Sequence, residues 1–195
     1  SEFLPISSSA HLLIISKLKT FQSSSLEIDI SLHLGSLLAI IFYFRKDLSG
    51  ILKNKDLSLL MILGSIPLII VGFILHKTGF INYLRNIEVI AWTTLLFGIL
   101  LFFSDKFEIK KNLNNDLNIR NILIISCFQI LALIPGVSRS GVVITAGRFL
   151  KFDRYESSKI SFYLSIPAIA GASFLGLKDI SGENIEVNSL VFLSI

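Results

Sequence analysis

The chain has 195 residues, 52% hydrophobic and 16% charged, with a mean hydropathy of +0.73, whereas roughly a quarter of the residues in a water-soluble domain are charged. Too little polar sequence remains to cover a soluble globule of this size, so lipid must cover it instead. The net charge of +4 is spread without any basic run longer than two, which excludes a nucleic-acid partner in favour of loop charges that orient a membrane protein.

In chain order, the sequence opens Ser1-Glu2-Phe3 with no basic segment ahead of its first apolar stretch, so no signal peptide is expected. Residues 3 to 18 are apolar but too short to span a bilayer. Residues 28 to 44, 57 to 75, 87 to 103 and 160 to 177 have the roughly 17 to 25 apolar positions that a spanning helix needs, the first of them despite Asp29 and His33. Two further pieces, 122 to 134 and 142 to 150, are short and joined by Pro135-Gly136-Val137-Ser138-Arg139-Ser140-Gly141. Such interrupted segments read as re-entrant half-helices, because irregular backbone survives at membrane depth only where protein or water satisfies it. The final run, Val187 to Ile195, cannot span in nine residues, and the chain reads as a fragment cut at both ends. Cys127, the single cysteine, excludes an internal disulfide and a Cys-based zinc site and is expected to pack in the core. Asp29 and Glu88 are expected at the interface, His33 at the cavity or the packing surface, and Trp92 against lipid or a neighbouring helix.

Sidedness follows from the basic residues. If the four long stretches cross and 122 to 150 returns to its own side, the connections 45 to 56, 104 to 121 and 148 to 159 hold twelve Lys and Arg, against five on the opposite side. The positive-inside rule places the twelve in the cytoplasm. The N-terminal piece then enters from the outer face and the 122 to 150 hairpin from the inner one, an inverted arrangement. Leu4-Pro5-Ile6-Ser7-Ser8-Ser9 is similar to Ile134-Pro135-Gly136-Val137-Ser138-Arg139-Ser140, and Gly64-Ser65-Ile66-Pro67 to Leu164-Ser165-Ile166-Pro167. The expected fold is therefore an all-α polytopic membrane protein, with transmembrane helices plus re-entrant half-helices in an inverted-topology repeat. It forms one integral membrane domain, 1 to 195, with a first repeat over 1 to 75, a connecting helix and cytoplasmic loop over 76 to 121, and a truncated second repeat over 122 to 195.

Two clusters carry chemistry. An arginine between apolar half-helices is costly unless it meets an anion or a carboxylate. Arg139 offers a planar fork suited to phosphate. Ser138, Ser140 and the open N–H groups of a helix starting at 142 would complete an anion site, with Gly136 and Gly141 allowing close backbone approach. The alternative is a structural arginine bonded to carbonyls. The second cluster, Glu2 to His11, packs a carboxylate, three hydroxyls and an imidazole into ten residues. In a helix starting near Ser7, Ser8 and His11 share a face, as for an activated nucleophile or a phosphate ligand beside its acid/base. An N-cap serine cluster with an interfacial histidine is the alternative. Gln129 and Thr145 are expected to bond backbone near the turn.

The segments Glu2-Phe-Leu-Pro-Ile-Ser-Ser-Ser-Ala-His-Leu12 and Ala132-Leu-Ile-Pro-Gly-Val-Ser-Arg-Ser-Gly141 closely resemble the two signature regions of the bacterial undecaprenyl-diphosphate phosphatase family, also called the bacitracin-resistance protein family. Ile30-Ser-Leu-His-Leu-Gly35, Tyr43-Phe-Arg45 and Ser65-Ile-Pro67 resemble its intervening landmarks. The resemblance implies a multi-pass enzyme of the bacterial inner membrane, reached from the outer, periplasmic face. It would hydrolyse undecaprenyl diphosphate to the monophosphate and inorganic phosphate, recycling the carrier for peptidoglycan synthesis and conferring resistance to bacitracin, which competes by sequestering that substrate. It further implies a divalent metal, Mg2+ or Ca2+. Carried over by position, Glu2 is a catalytic glutamate and metal ligand, Ser8 the nucleophile, His11 an acid/base and Arg139 the phosphate-binding arginine, with Ser7, Ser138, Ser140, Gly136 and Gly141 around the phosphate. The family's first glutamate, four residues before Glu2, and its last helices fall outside this sequence. Attack by Ser8 and direct attack by water both fit the residues. A polyprenyl-phosphate flippase is the competing function, since broken helices in inverted repeats also build transporters; homo-oligomerisation is left open.

Overall fold

A computed structural model describes residues 4–7, 11, 35–39, 41–45, 48–50, 54–78, 86–111 and 113–182. Helices dominate: α1 (Lys55–Thr78), α2 (Ile87–Ser104), the single turn α3 (Leu113–Asp116), α4 (Ile119–Ile130), α5 (Arg139–Phe149) and α6 (Arg154–Gly182), with a 3-10 turn, Leu131–Leu133, extending α4. Residues 35–39, 41–43 and 48–50 are also helical. Among the described residues the one β-type pairing is an isolated bridge between Lys111 and Phe152.

Each long helix starts where the sequence supplies an oxygen for its open N–H groups. Asn54 accepts from Leu57 N at 3.3 Å, Asn86 from Glu88 N at 3.3 Å, Asn118 from Asn121 N at 2.9 Å, Ser138 from Gly141 N at 3.3 Å and Asp153 from Glu156 N at 2.6 Å. These caps move the starts outward from the expected apolar cores, and the C-terminal ends run on as well. The span at 57 to 75 becomes 55–78 and that at 160 to 177 becomes 154–182, while the helix expected at 142 opens three residues earlier, at Arg139.

α1 and α2 are long and apolar enough to cross a membrane. Between Asp56 and His76, α1 carries no charge over nineteen residues, about 28 Å of helix and close to the hydrocarbon thickness. Cations mark the boundaries: Lys77 sits 4.8 Å over the Phe73 ring at one end of α1, and Lys106 sits 4.8 Å over Phe102 just past the end of α2. The outward faces are apolar, with Trp92 70% exposed and Phe102 and Ile62 also open, as a lipid solvent requires. Glu88 is exposed in the first turn of α2, at the expected interfacial position.

Neighbouring residues give the helix directions. A Cβ on Gly64 of α1 would lie 2.8 Å from Ile122 of α4 and 2.9 Å from Leu164 of α6, and Gly171 of α6 approaches Ile69. A Cβ on Gly72 of α1 would also lie 3.5 Å from Leu133, just past α4, so α4 and α6 both flank α1 and run in its sense, and a side chain at 64 would crowd both neighbours. Met61, Ile122, Ile125, Val143, Ala146, Phe152, Ile160 and Leu164 fill the centre. α5 runs back against α6, with Gly147 against Ser157 and Arg139 against Ser165. The Asp105 end of α2, the start of α4, the end of α5 and the start of α6 therefore gather at one end of the bundle. There Lys110 N and Lys111 N donate to Lys151 O at 3.0 and 3.1 Å.

Three expectations change. The Gly64–Pro67 and Leu164–Pro167 motifs lie on parallel helices, whereas matched helices of an inverted repeat run in opposite senses, so this pair lends inversion no support. Cys127 is exposed, not core: the buried stripe of α4 runs through Ile122, Ile125, Ser126 and Gln129, which leaves position 127 with Leu123 on the outer side. Arg148, counted above as a loop charge, is 3% exposed. Its Nη1 donates to Phe152 O and its Nη2 to Asp105 O and Phe107 O, each at 2.8 Å, with Asp105 Oδ1 3.4 Å from its Nε. It ties the ends of α2 and α5 together.

Candidate active site

The site is built on the start of α5. Ser138, extended at φ −75° and ψ 123°, caps the helix, so Arg139 and Ser140 occupy its first turn, where N–H groups lack helical partners and favour an anion. Ser138 Oγ lies 3.1 Å from Ser140 Oγ, and Ser140 Oγ donates to Leu4 O at 2.6 Å. Pro5 packs against the same helix start, 3.6 Å from where a Gly141 Cβ would be. The turn at residues 4–7 therefore docks on residues 138–141, and the two similar Pro-Ser motifs meet in one place.

On the N-terminal side, His11 N donates to Ser7 O at 3.4 Å, and His11 Nδ1 lies 2.7 Å from the same carbonyl. A carbonyl only accepts, so Nδ1 carries the proton and Nε2 is left as the basic nitrogen. Ser7 is buried. Glu2 and Ser8 lie outside the described residues. On the opposite side, the Arg139 guanidinium is half-buried and donates from Nη1 to Ser165 O at 3.3 Å, two residues before Pro167. A proline removes one N–H from the helix ladder, and Arg139 serves a carbonyl in the turn before it. Ser126 Oγ lies 2.7 Å from Gly64 O, three residues before Pro67.

The two glycines act differently from the sequence expectation. Gly136 has φ +92°, and a Cβ there would lie 2.2 Å from Thr93 Oγ1 and 2.7 Å from Ile90 O. Its missing side chain makes room for α2 rather than for a ligand. At Gly141 a Cβ would meet Ser138 Cβ at 3.3 Å, a tight but modest contact. Sequence reasoning passed over the residues that hold the turn from behind: Thr93 Oγ1 is 2.8 Å from Pro135 O and Thr94 Oγ1 is 3.0 Å from Gly136 O. The signal was present as two adjacent hydroxyls in the otherwise apolar middle of α2. Thr145 bonds backbone as expected, donating to Gly141 O at 2.7 Å. Gln129 does not: fully buried, its amide makes no hydrogen bond.

Among the described residues no group of three or more His, Cys, Asp or Glu side chains could hold a metal ion. An open cleft of about 730 Å³ lies at the far end of α5, lined by Asp105, Glu108, Arg148 and Arg154. Arg154 pairs with Asp105 through both carboxylate oxygens. That hydrogen bonding, opposed by burial and reinforced by the charges of Arg154 and Arg148, holds the Asp105 carboxyl below its ordinary range.

The chain is similar to curated proteins over most or all of its length. The undecaprenyl-diphosphatase of Pelagibacter ubique is 57% identical over 196 residues, covering 100% of this chain and 77% of that protein. That of Elusimicrobium minutum is 45% identical over 193 residues, 94% of this chain and 74% of its own, and that of Chromohalobacter salexigens 40% over 206 residues, 98% and 77%. A family model described as bacitracin resistance protein BacA matches residues 1–194, and the chain belongs to that family.

Proposed function

We propose that this chain hydrolyses undecaprenyl diphosphate to undecaprenyl phosphate and inorganic phosphate, with the diphosphate held at the start of α5. The observation that supports this reading is the docking of the Leu4–Ser7 turn on Ser138–Gly141, which brings the Pro-Ser turn preceding His11 onto the helix start that carries Arg139. Arg139 and the first N–H groups of α5 neutralise the terminal phosphate, most strongly as charge builds on its oxygens. Ser8 attacks the terminal phosphorus: its Oγ–P bond forms, the bridging P–O bond breaks, and undecaprenyl phosphate leaves. His11 Nε2 takes the serine proton, passes it to the departing undecaprenyl phosphate and, neutral again, takes a proton from the water that releases orthophosphate from Ser8. Glu2 and a divalent cation, Mg2+ or Ca2+, belong to this reading on the family resemblance; the cation would supply further charge neutralisation when bound.

The chain is a membrane protein, and we read its membrane as the bacterial inner membrane. Both ends of the 119–149 hairpin lie at the Asp105 end of the bundle, which supports a re-entrant hairpin entering from the cytoplasmic side. Thr94, beside the turn, is seven residues from the start of α2 and ten from its end, or about 10 Å and 15 Å. That depth favours access from the outer face. An inverted relation between 1–75 and 122–195, joined by 76–121, rests on the two docked Pro-Ser turns. Resistance to bacitracin follows from consumption of the diphosphate it sequesters.

The test is phosphate release from undecaprenyl diphosphate by the full-length protein in detergent, with and without EDTA. Release that EDTA abolishes is expected. Absence of release with retained lipid binding would favour a flippase, and turnover insensitive to EDTA would remove the metal.

A further inference from the structure

We infer that Thr93 and Thr94 of α2 are positioning residues for the diphosphate site, gripping from behind the turn that aims Ser138, Arg139 and Ser140; this rests on the function proposed above. Adjacent helix residues point about 100° apart, yet these two hydroxyls reach successive carbonyls of one turn, Pro135 O at 2.8 Å and Gly136 O at 3.0 Å. The turn must therefore lie across the helix. Gly136 lets it do so, since any Cβ at that position would run into Thr93 and the Ile90 carbonyl.

Thr93 Oγ1 is also 2.8 Å from Val89 O and 3.1 Å from Ile90 O, and one hydroxyl proton cannot serve all three. Val89 O and Ile90 O lie inside the α2 ladder, whereas Pro135 O belongs to a turn and gains more from the donor. Thr94 has the cleaner role. In a trans peptide the N–H points opposite to the preceding carbonyl, so drawing Pro135 O onto α2 turns the Gly136 N–H away from it. Fixing both peptide planes also fixes the direction in which Ser138 leaves the turn and α5 begins. The hydroxyls touch no substrate; they set the aim of groups that do.

The experiment compares wild type, Thr94→Val, Thr93→Val/Thr94→Val and the matching serine variants in full-length protein, reading kcat and KM for undecaprenyl diphosphate and the Ki of orthophosphate. Valine keeps the shape and removes the donor. Positioning predicts that KM and the orthophosphate Ki rise together and kcat/KM falls about 10- to 100-fold, the scale of a sub-ångström to 1 Å misplacement. Serine at the same positions should restore both. A merely structural role would lower the active fraction, and so kcat, while leaving KM and Ki at wild-type values; that result, or no change at all, overturns the inference. Should the double valine variant not fold, Thr94→Val alone decides by the same two constants. Wild type without turnover would refute the proposed activity instead, and the orthophosphate Ki would have no meaning.

Discussion

Removing Arg148 tests whether the bundle is held at its Asp105 end by one buried guanidinium. Three hydrogen bonds of 2.8 Å, to the carbonyls of Asp105, Phe107 and Phe152, converge on a side chain 4% exposed. A hydrogen bond to a charged group contributes roughly 1.5–3 kcal/mol, but the three share one cation whose own desolvation costs several kcal/mol. Asp105 and Phe107 line an open cleft that water can enter, which offsets part of the loss, whereas Phe152 is fully buried. The net loss for Arg148→Ala is therefore about 3 kcal/mol, at the low end for a broken buried pair. In thermal unfolding in detergent this is a fall of about 6–12 °C for a chain of this length. Arg148→Lys should recover only part of it, because one ammonium lacks the planar fork. Turnover of the protein that remains folded should keep the wild-type KM, since nine residues of α5, about 14 Å, separate Arg148 from Arg139. A midpoint within about 1 °C of wild type would refute the clamp, and an altered KM without loss of stability would move Arg148 into the site.

Arg139→Lys keeps the charge but loses the bidentate fork, so it should remain clearly impaired in kcat/KM; full activity would show that charge alone suffices. Ser8→Ala and His11→Ala should each lower kcat severely with KM little changed, and the double variant should be scarcely worse than either; full additivity on a logarithmic scale would favour a water nucleophile. In a Cys127→Ser background, single cysteines at Asn54 and Tyr155 should react with an impermeant thiol reagent only after the membrane is opened, and one at Asn86 in intact cells. Labelling of position 155 from outside would refute the re-entrant hairpin. The Asp105 carboxyl is depressed chiefly by its hydrogen bonds to Arg154, so its stabilising contribution is complete above the ordinary carboxylate range and is lost as pH falls through the depressed value. Arg154→Gln should make acid unfolding begin at a higher pH, and an unchanged acid midpoint would mean that the pair contributes nothing.

Apolar length and capping chemistry are local, which is why α1, α2, α4 and α6 were legible within a few residues of their ends and why Asn86, Asn118 and Asp153 start helices where they stand. The Arg139 turn was legible for a related reason: an arginine between apolar segments is costly enough to demand a polar partner wherever the chain puts it. Facing was not legible. Cys127 sits in an apolar run that looks alike from every side, and only the direction from which α1 and α5 approach α4 decides that Ile125 and Gln129 are inside and Cys127 is out. Helix direction was likewise open to misreading, since the matched Ser-Ile-Pro motifs carry no arrow and only the contacts of Gly64 with Leu164 and of Gly171 with Ile69 show them parallel. Thr93, Thr94 and Arg148 act on carbonyls about 40 residues away in sequence, partners that any residue type supplies. Their roles therefore exist only once tertiary packing has brought α2 and α5 together, because a backbone acceptor leaves no mark in the sequence.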